Sequence, residues 1–385
     1  MSVQTSNEAA IPRATVPVPL REVLGVAQEY LDAGRLDAAG RMLGHVLAAD
    51  PDHADALHMQ GLICHRRGHG PQALALMEQA VAAQAHNAVF WRNLSEVSRM
   101  HGQADRALVA ARRAIALDPA DALGLFNLAM VQYDRLEIAG CLAAARACLD
   151  LKPGLPQAHM KLAQAHLLAG DLAAGWREYE WRYRIPGAAP LMPANLLMPD
   201  RPQWDGHALP DGRLLLVADQ GYGDVIQFAR YIPGVLGLCP QVTIATSPEL
   251  AVLLGQMFPG LDIIVRWENT PAFAAHCPLS GLPRLRGTEL DSIPGGIPYL
   301  AAVPERAAHW RGVLDGLVPP GLKRVGLSWA GRPTHNNDAS RSVALARLAP
   351  ITDVAGVAFV SLQKGPAARE AEGYRGRAPL IDLAS

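Results

Sequence analysis

The stretch LLLVADQGYGDVIQFARYI, residues 214–232, has the residue types of a ligand-binding turn between a strand and a helix. Its apolar start predicts a short buried strand, and the amphipathic pattern from residue 224 predicts a helix. Gly221 and Gly223 allow a backbone to approach a ligand closely, and Asp224 falls in the first helical turn. An acid there can accept a proton in catalysis, or it can cap the helix and interact with its dipole.

The same turn lacks two features of a dinucleotide site. A dinucleotide-binding fingerprint has a third glycine where this sequence has Ile226. The strand predicted next, in TIATS, is followed by Pro248 and Glu249 instead of ending in an acid. The sequence therefore argues against a nicotinamide cofactor.

Strands and helices alternate through the second half of the chain. The strand-like runs are LLLVA, QVTIATS, LDIIVRW, RVGLSWAG and VAFVSLQ, and helical patterns cover 224–238, 248–258, 303–315, 342–353 and 366–373. This alternation predicts α/β architecture of the doubly wound class, with parallel sheets and crossover helices. Ligands of such sheets bind beyond the carboxyl ends of the strands, which is where the 221–224 turn would lie.

The first half repeats every 34 residues. The grid positions are Gly34, Gly68, Gly102, Leu136 and Gly170, and five residues after each comes a small residue: Ala39, Ala73, Ala107, Cys141 or Gly175. Pro51, Pro119 and Pro153 fall where a second helix would end. This helix-turn-helix period resembles the tetratricopeptide repeat and predicts an α-solenoid of about five repeats over residues 20–183.

A solenoid presents a concave face that a protein or peptide can occupy. It can equally serve as a spacer or as a surface for self-association. The histidines of this half show no single metal-ligand geometry, and the second half has no D-x-D, so no metal is expected. The five cysteines are scattered without a CxxC pair, which predicts reduced thiols.

Composition excludes several classes of partner. The formal net charge of the 385 residues is -1, so no basic field marks the chain for nucleic acid or an anionic membrane. The longest apolar stretch, LAVLLGQMFPGLDIIV, is too interrupted to cross a bilayer, and the first residues lack the pattern of a signal peptide. We therefore expect a cytoplasmic protein.

Several motifs of the second half occur in a characteristic order: ADQGYGDVIQFARYIP, HCPLSGLP, IPGGIPYL, VGLSWAGRPTHNNDASRS and FVSLQKGP. In this order the chain resembles bacterial proteins that join tetratricopeptide repeats to a heptosyltransferase-like domain of glycosyltransferase family 9, which has the GT-B fold. In outline it is also similar to the O-linked N-acetylglucosamine transferases. The resemblance implies transfer of a sugar from a nucleotide sugar to a protein or glycan acceptor that the solenoid selects.

The resemblance also assigns roles to particular residues. It makes Asp224 the general base that takes the proton of the acceptor hydroxyl. His276, in HCPLSGLP, would line the acceptor side, where it could assist proton transfer or make a structural hydrogen bond. The residues expected to bind the donor and its phosphates are Gly221, Gly223, His335, Asn336, Asn337, Ser340, Arg341 and Lys364.

Arg341 is the leading phosphate ligand, because a guanidinium can hold phosphate oxygens in a bidentate fashion. Lys364 could instead be a solvated loop lysine. The domains predicted on this basis are a disordered tail (1–19), the solenoid (20–183), a proline-rich surface linker (184–210), a Rossmann-like half (211–317) and a partial donor-binding half (318–385).

The last predicted domain is shorter than the roughly 120–170 residues expected for a several-stranded doubly wound unit. The family's D-T-x-x-x-H-L-A-G type motif does not occur in it. We therefore expect weak donor binding. Two classes of function stay open: a glycosyltransferase, and a non-catalytic repeat scaffold for protein-protein interaction that carries a degenerate transferase domain.

Overall fold

The structure is a computed structural model that describes residues 19–296, 298–334, 338 and 341–383. The chain divides into two compact units, Met1–Gly295 and Gly296–Ser385. The α-helices of the described residues are α1 Leu20–Asp32, α2 Leu36–Ala49, α3 Ala54–Arg66, α4 Gly70–Ala83, α5 Ala88–Met100, α6 Ala104–Leu117, α7 Ala122–Asp134, α8 Ile138–Leu151, α9 Pro156–Ala169, α10 Leu172–Tyr179, α11 Tyr222–Phe228, α12 Ile232–Leu236, α13 Pro248–Met257, α14 Leu282–Leu285, α15 Pro304–Leu317 and α16 Ala349–Thr352.

The strands of the described residues are β1 Arg213–Val217, β2 Gln241–Ala245, β3 Asp262–Ile264, β4 Ala275–Pro278, β5 Lys323–Leu327, β6 Val357–Ser361 and β7 Leu380–Asp382. Helix α15 belongs to the second unit. The sequence places these residues in the first α/β half, so the division lies earlier in the chain than predicted. No helix of the described segments combines the length and apolarity needed to cross a bilayer.

Helices α1–α10 form a helical repeat solenoid, as the 34-residue period predicts. Each helix contacts the next along the chain, and contacts between α1 and α3, α5 and α7, and α7 and α9 bring the odd-numbered helices into one layer. The small residues that follow each grid point are buried in the helix pairs. At Gly175, for example, an added Cβ would lie 2.6 Å from the Leu167 side chain, so a larger residue would push α10 away from α9.

The grid residues lie in the turn within each pair. Gly34, Gly68, Gly102 and Gly170 have φ angles of 72°, 79°, 72° and 85°, a left-handed conformation that glycine adopts without steric cost. Leu136 takes the same place in the fourth pair with a φ of 60°. The turn therefore keeps its geometry even where the glycine is missing.

The first unit also contains a parallel sheet of four strands in the order β3-β2-β1-β4. Leu214 and Leu216 of β1 face one core, to which the helices α11–α14 contribute, and Leu215 and Val217 face a second core. The second core is closed by non-helical segments around Met192 and Phe273. The prediction of a doubly wound sheet is therefore wrong in this respect, because helices cover one face only.

Most of the proline-rich residues 184–210 are exposed, but two large apolar side chains anchor the segment to the first sheet. Met192 is 2% exposed in the second core, and Trp204 is 4% exposed in the first. The Trp204 amide donates to the carbonyl of His276 at 2.7 Å, and Gln203 forms a parallel bridge with His276. The few large apolar residues of the segment thus pack against the first sheet in place of helices.

The second unit has a parallel sheet of three strands in the order β5-β6-β7. β7 lies within APLIDLAS, near the end of the described residues. Two small parallel sheets agree with the α/β class, and the GT-B assignment stays a prediction.

Candidate functional site

The turn after β1 has the local structure that the sequence predicts. Asp224 lies in the first turn of α11 and is exposed. Gly221 precedes the helix in an extended conformation, with φ -63° and ψ 166°. A Cβ on Gly223 would meet nothing within 4 Å, and one on Gly221 would meet only an Asp224 oxygen at 3.3 Å. Steric crowding therefore does not require either glycine in this structure.

A buried carboxylate that the sequence did not single out lies just before this turn. Asp219 is 2% exposed in its side chain and follows the end of β1 by two residues. Its carboxylate accepts hydrogen bonds from the Tyr183 hydroxyl at 2.6 Å, the Ser280 hydroxyl at 2.5 Å and the Gln220 amide at 3.0 Å. The Ser280 backbone N–H donates at 3.1 Å, and Nε of Arg182 donates at 3.5 Å. Donors of four residues thus use most of its acceptor capacity.

The position of this carboxylate is the one where open α/β sheets bind ligands. β1 pairs with β2 on one side and with β4 on the other, so the strand order reverses at β1. The crevice between the carboxyl ends of β1 and β4 is the expected ligand site. Asp219 comes from the β1 side and Ser280 from the β4 side. In this structure, Arg182 and Tyr183 of the same chain donate hydrogen bonds to Asp219 at that position.

These two residues come from the end of the solenoid. They lie in a 3-10 helix, Glu180–Arg184, that continues α10. The Arg182 guanidinium also donates to the carbonyl of Tyr179 at 2.9 Å and to the Glu180 carboxylate at 3.2 Å. The 3-10 helix at the end of the solenoid therefore joins the repeats to the first sheet.

The hydrogen bonds and burial of this network determine the protonation states of Asp219 and Tyr183. Burial by itself would raise the pKa of Asp219, but hydrogen bonds from Ser280, Tyr183 and Gln220 outweigh burial and hold that pKa below its usual value. Burial, followed by the charge of Asp219, raises the pKa of Tyr183. Asp219 is thus ionised and Tyr183 is a protonated donor, which suits a structural joint better than proton transfer.

His276 makes contacts that fit the structural alternative. It lies on β4 at 8% exposure, and its Nδ1–H donates to the carbonyl of Arg201 at 3.0 Å. Burial lowers the pKa of His276, and the bond to Arg201 opposes that effect. The side chain ties the 184–210 segment to the sheet. Its assignment as a catalytic residue stays a prediction without a contact that favours it.

The predicted phosphate-binding residues fall in the second unit, apart from Gly221 and Gly223. His335, Asn336, Asn337 and Ser340 lie outside the described residues. Arg341 and Lys364 are both exposed.

The segment around Arg341 is held by an acid. The Ser342 hydroxyl donates to the Asp338 carboxylate at 2.7 Å and accepts from the Gly331 N–H at 2.9 Å. Gln363, at 3% exposure, accepts from the N–H groups of Trp329 and Ala330 at 2.9 Å each. A carboxylate at this place disfavours the binding of a phosphate nearby.

The odd-numbered helices of the solenoid carry a second candidate site. Polar contacts join helices of this layer: Asn93 with His58 at 3.0 Å, Asn127 with the carbonyl of Arg92 at 3.3 Å, Arg99 with Asp134 at 3.0 Å, and the Lys161 ammonium over the Tyr133 ring at 3.8 Å. The first three contacts each join residues 35 positions apart, one repeat plus one residue. We call this surface the odd-helix face.

Exposed apolar side chains share that face with the polar contacts. Val89 is 44% exposed and precedes Arg92 and Asn93 on α5 by three and four residues. Leu123 is 45% exposed and precedes Asn127 on α7 by four. Residues three and four apart lie on one side of a helix. Val89 and Leu123 are also 34 residues apart, so they hold equivalent positions in consecutive repeats.

No family model matches the chain. The protein FlbA of Caulobacter vibrioides is 27% identical over 371 residues, which cover 88% of this chain and 61% of FlbA. The BBSome complex member BBS4 of Bos taurus is 25% identical over 166 residues, which cover 43% of this chain and 32% of BBS4. The chain thus spans about three-fifths and one-third of the length of these relatives.

Several solved structures are similar to part of the chain. MamA has a TM-score of 0.38 and 22% identity, covering 40% of this chain and 91% of MamA. PilF of Pseudomonas aeruginosa has a TM-score of 0.41 and 18% identity, covering 44% and 78%. YrrB, described as a TPR protein with an unusual peptide-binding site, has a TM-score of 0.38 and 18% identity, covering 43% and 86%.

Proposed function

We propose that this chain is a protein-binding scaffold whose odd-helix face holds an extended segment of a partner protein. The observation that carries the proposal is the pair of exposed apolar side chains, Val89 and Leu123, at equivalent positions of consecutive repeats. Solvent-exposed apolar residues that recur with the repeat give a partner a regular set of contacts.

The charges of the face indicate the chemistry of the partner. Arg92 pairs with Asp121 at 2.8 Å, and Arg99 pairs with Asp134 at 3.0 Å. Because these cations already have carboxylate partners, a strongly acidic segment would have to displace them. An uncharged segment with apolar side chains fits the face better.

The spacing of the repeats indicates the conformation of the partner. Packed helices lie about 8–10 Å apart, and three residues of polyproline II span about 9 Å and complete one turn. A segment in this conformation with an apolar residue at every third position would place successive side chains on Val89 and Leu123. We therefore propose a polyproline II-like segment of this pattern as the occupant.

A phage-displayed peptide library selected on the purified chain tests the proposal. Selected peptides should carry the three-residue apolar pattern and should bind Val89→Glu and Leu123→Glu at least tenfold more weakly. Val109→Glu is the matched control, because Val109 is 66% exposed on the even-numbered helix α6. Equal binding to all three variants would overturn the proposal, as would a selection that enriches no peptide.

Sugar transfer is a second proposal, which rests on Asp224. The exposed carboxylate at the carboxyl edge of the first sheet can reach an acceptor hydroxyl. In a mass-spectrometric assay with nucleotide sugars and cell lysate, Asp224→Asn should lower turnover by a factor of roughly 100 to 10,000. Asp211→Asn, at another exposed acid, should not lower it. If the unmodified chain transfers no sugar, the sugar-transfer proposal is wrong and only the scaffold proposal remains.

A further inference from the structure

A pair of histidines from consecutive repeats meets at the surface of the solenoid. His65 lies on α3 and His101 directly follows α5. Nδ1 of His65 lies 3.4 Å from Nε2 of His101, and the two rings are perpendicular, with centroids 5.5 Å apart. The two residues are 36 positions apart in the chain, so only the stacking of repeats brings them together.

The distance between the two nitrogens fits a shared metal ion as well as a long hydrogen bond. Hydrogen bonds from N–H groups in proteins are usually about 2.7–3.2 Å long. Zn²⁺ binds imidazole nitrogen at about 2.0–2.1 Å in tetrahedral geometry, which separates two nitrogen ligands by about 3.3–3.4 Å. The observed separation therefore already matches two ligand positions of such an ion.

The packing around the pair holds the His101 ring in place. A Cβ added to Gly70, the first residue of α4, would lie 2.3–2.8 Å from three atoms of that ring. The ring thus lies directly on the Gly70 backbone, and a side chain there would displace it. This packing fixes the position of the His101 ring beside His65.

We propose that His65 and His101 bind a divalent transition-metal ion of the Zn²⁺ type, with water in the remaining positions. Imidazole is a preferred ligand of Zn²⁺, Ni²⁺ and Cu²⁺. Within the described residues no cluster of three or more histidine, cysteine or acidic side chains is arranged for a metal, so the protein supplies two ligands here. The bound ion links the second repeat to the third.

Calorimetric titration of the full, metal-stripped and tag-free chain with ZnCl₂ tests this site, and Co²⁺ absorption gives its geometry. We expect about one equivalent of Zn²⁺ to bind, and His65→Asn and His101→Asn each to weaken binding at least tenfold. His69→Asn is the matched control, because His69 is exposed in the same turn and its side chain does not cap α4. Binding in this variant should match the unmodified chain.

Gly70→Ala separates geometry from ligand identity. It keeps both histidines and displaces only the ring that rests on Gly70, so we expect weaker Zn²⁺ binding and an altered Co²⁺ spectrum with an unchanged circular dichroism spectrum. The site is wrong if His65→Asn binds Zn²⁺ as tightly as the unmodified chain. It is also wrong if binding is lost equally in His69→Asn, or if it is seen only at millimolar Zn²⁺.

Discussion

Substitution of Leu136 would measure the free-energy cost of the left-handed backbone conformation in the repeat turn. Its φ of 60° is left-handed, and the equivalent position in the other four helix pairs is glycine. We predict that Leu136→Gly stabilises the solenoid. The side chain is 70% exposed, so its removal sacrifices little apolar burial.

The magnitude follows from two opposing terms. A left-handed conformation costs a residue with a Cβ about 1–2 kcal/mol. Replacing it by glycine adds about 0.4–1 kcal/mol of conformational entropy to the unfolded chain, which offsets part of the gain. The net increase in the free energy of unfolding should be about 0.5–1 kcal/mol. At about 2–4 °C per kcal/mol for domains of 150–250 residues, the melting temperature should rise by about 1–4 °C.

Differential scanning calorimetry and urea denaturation would measure the effect, with two controls. Gly102→Leu should lower stability by a similar amount, since a Cβ at Gly102 meets nothing within 4 Å and only the backbone conformation is penalised. Leu168→Gly makes the same chemical change in the last turn of α9, at a right-handed residue, and should also destabilise, because glycine has a lower helix propensity than leucine. A fall in stability for Leu136→Gly, alongside the expected falls in both controls, would refute the reasoning.

Two further predictions concern buried ionisable groups of the first unit. Asp219→Asn removes the charged acceptor of the Tyr183 and Ser280 hydroxyls and one of the two carboxylates beside Arg182, and should lower the free energy of unfolding by about 1–3 kcal/mol in urea denaturation; a loss below about 1 kcal/mol would contradict the structural role of the carboxylate. Burial, reinforced by the charge of Arg92, lowers the pKa of His58 from 6.5 to about 4, so the unfolded chain binds the proton more readily than the folded one. The stability that neutral His58 contributes should therefore be complete above about pH 6.5 and be lost as the pH falls towards about 4, and His58→Gln should remove that part of the pH dependence.

The sequence predicted those features that depend on local backbone geometry. The 34-residue grid located the turns because four of them use glycine for a left-handed residue. Apolar runs located strands such as β1, and the first-turn position of Asp224 followed from the helix that comes after it. Each of these depends on residues within a few positions of one another.

Features that depend on distant partners were missed. Asp219 meets Ser280 across 61 positions and Tyr183 across 36, and His276 meets Arg201 across 75. The available signal for Asp219 was its place directly after a run of apolar strand residues. The sequence pattern of the neighbouring Gly-Asp pair favoured Asp224 as the candidate acid instead. The two residues that anchor the proline-rich segment, Met192 and Trp204, were not predicted because neither produces a periodic pattern.

The buried thiols of the first unit can report local unfolding of that unit. Cys64, Cys141 and Cys148 lie within the solenoid, Cys277 lies on β4 of the first sheet, Cys239 lies just before β2, and all five are free and buried. A thiol reagent can modify them only when the surrounding structure separates, so the order of labelling records which part of the unit opens first. Residues 296–385 contain no cysteine and give no signal in such an experiment. The rate at which mass accumulates on each peptide therefore gives a time course of unfolding, resolved between repeats and sheet, without any introduced label.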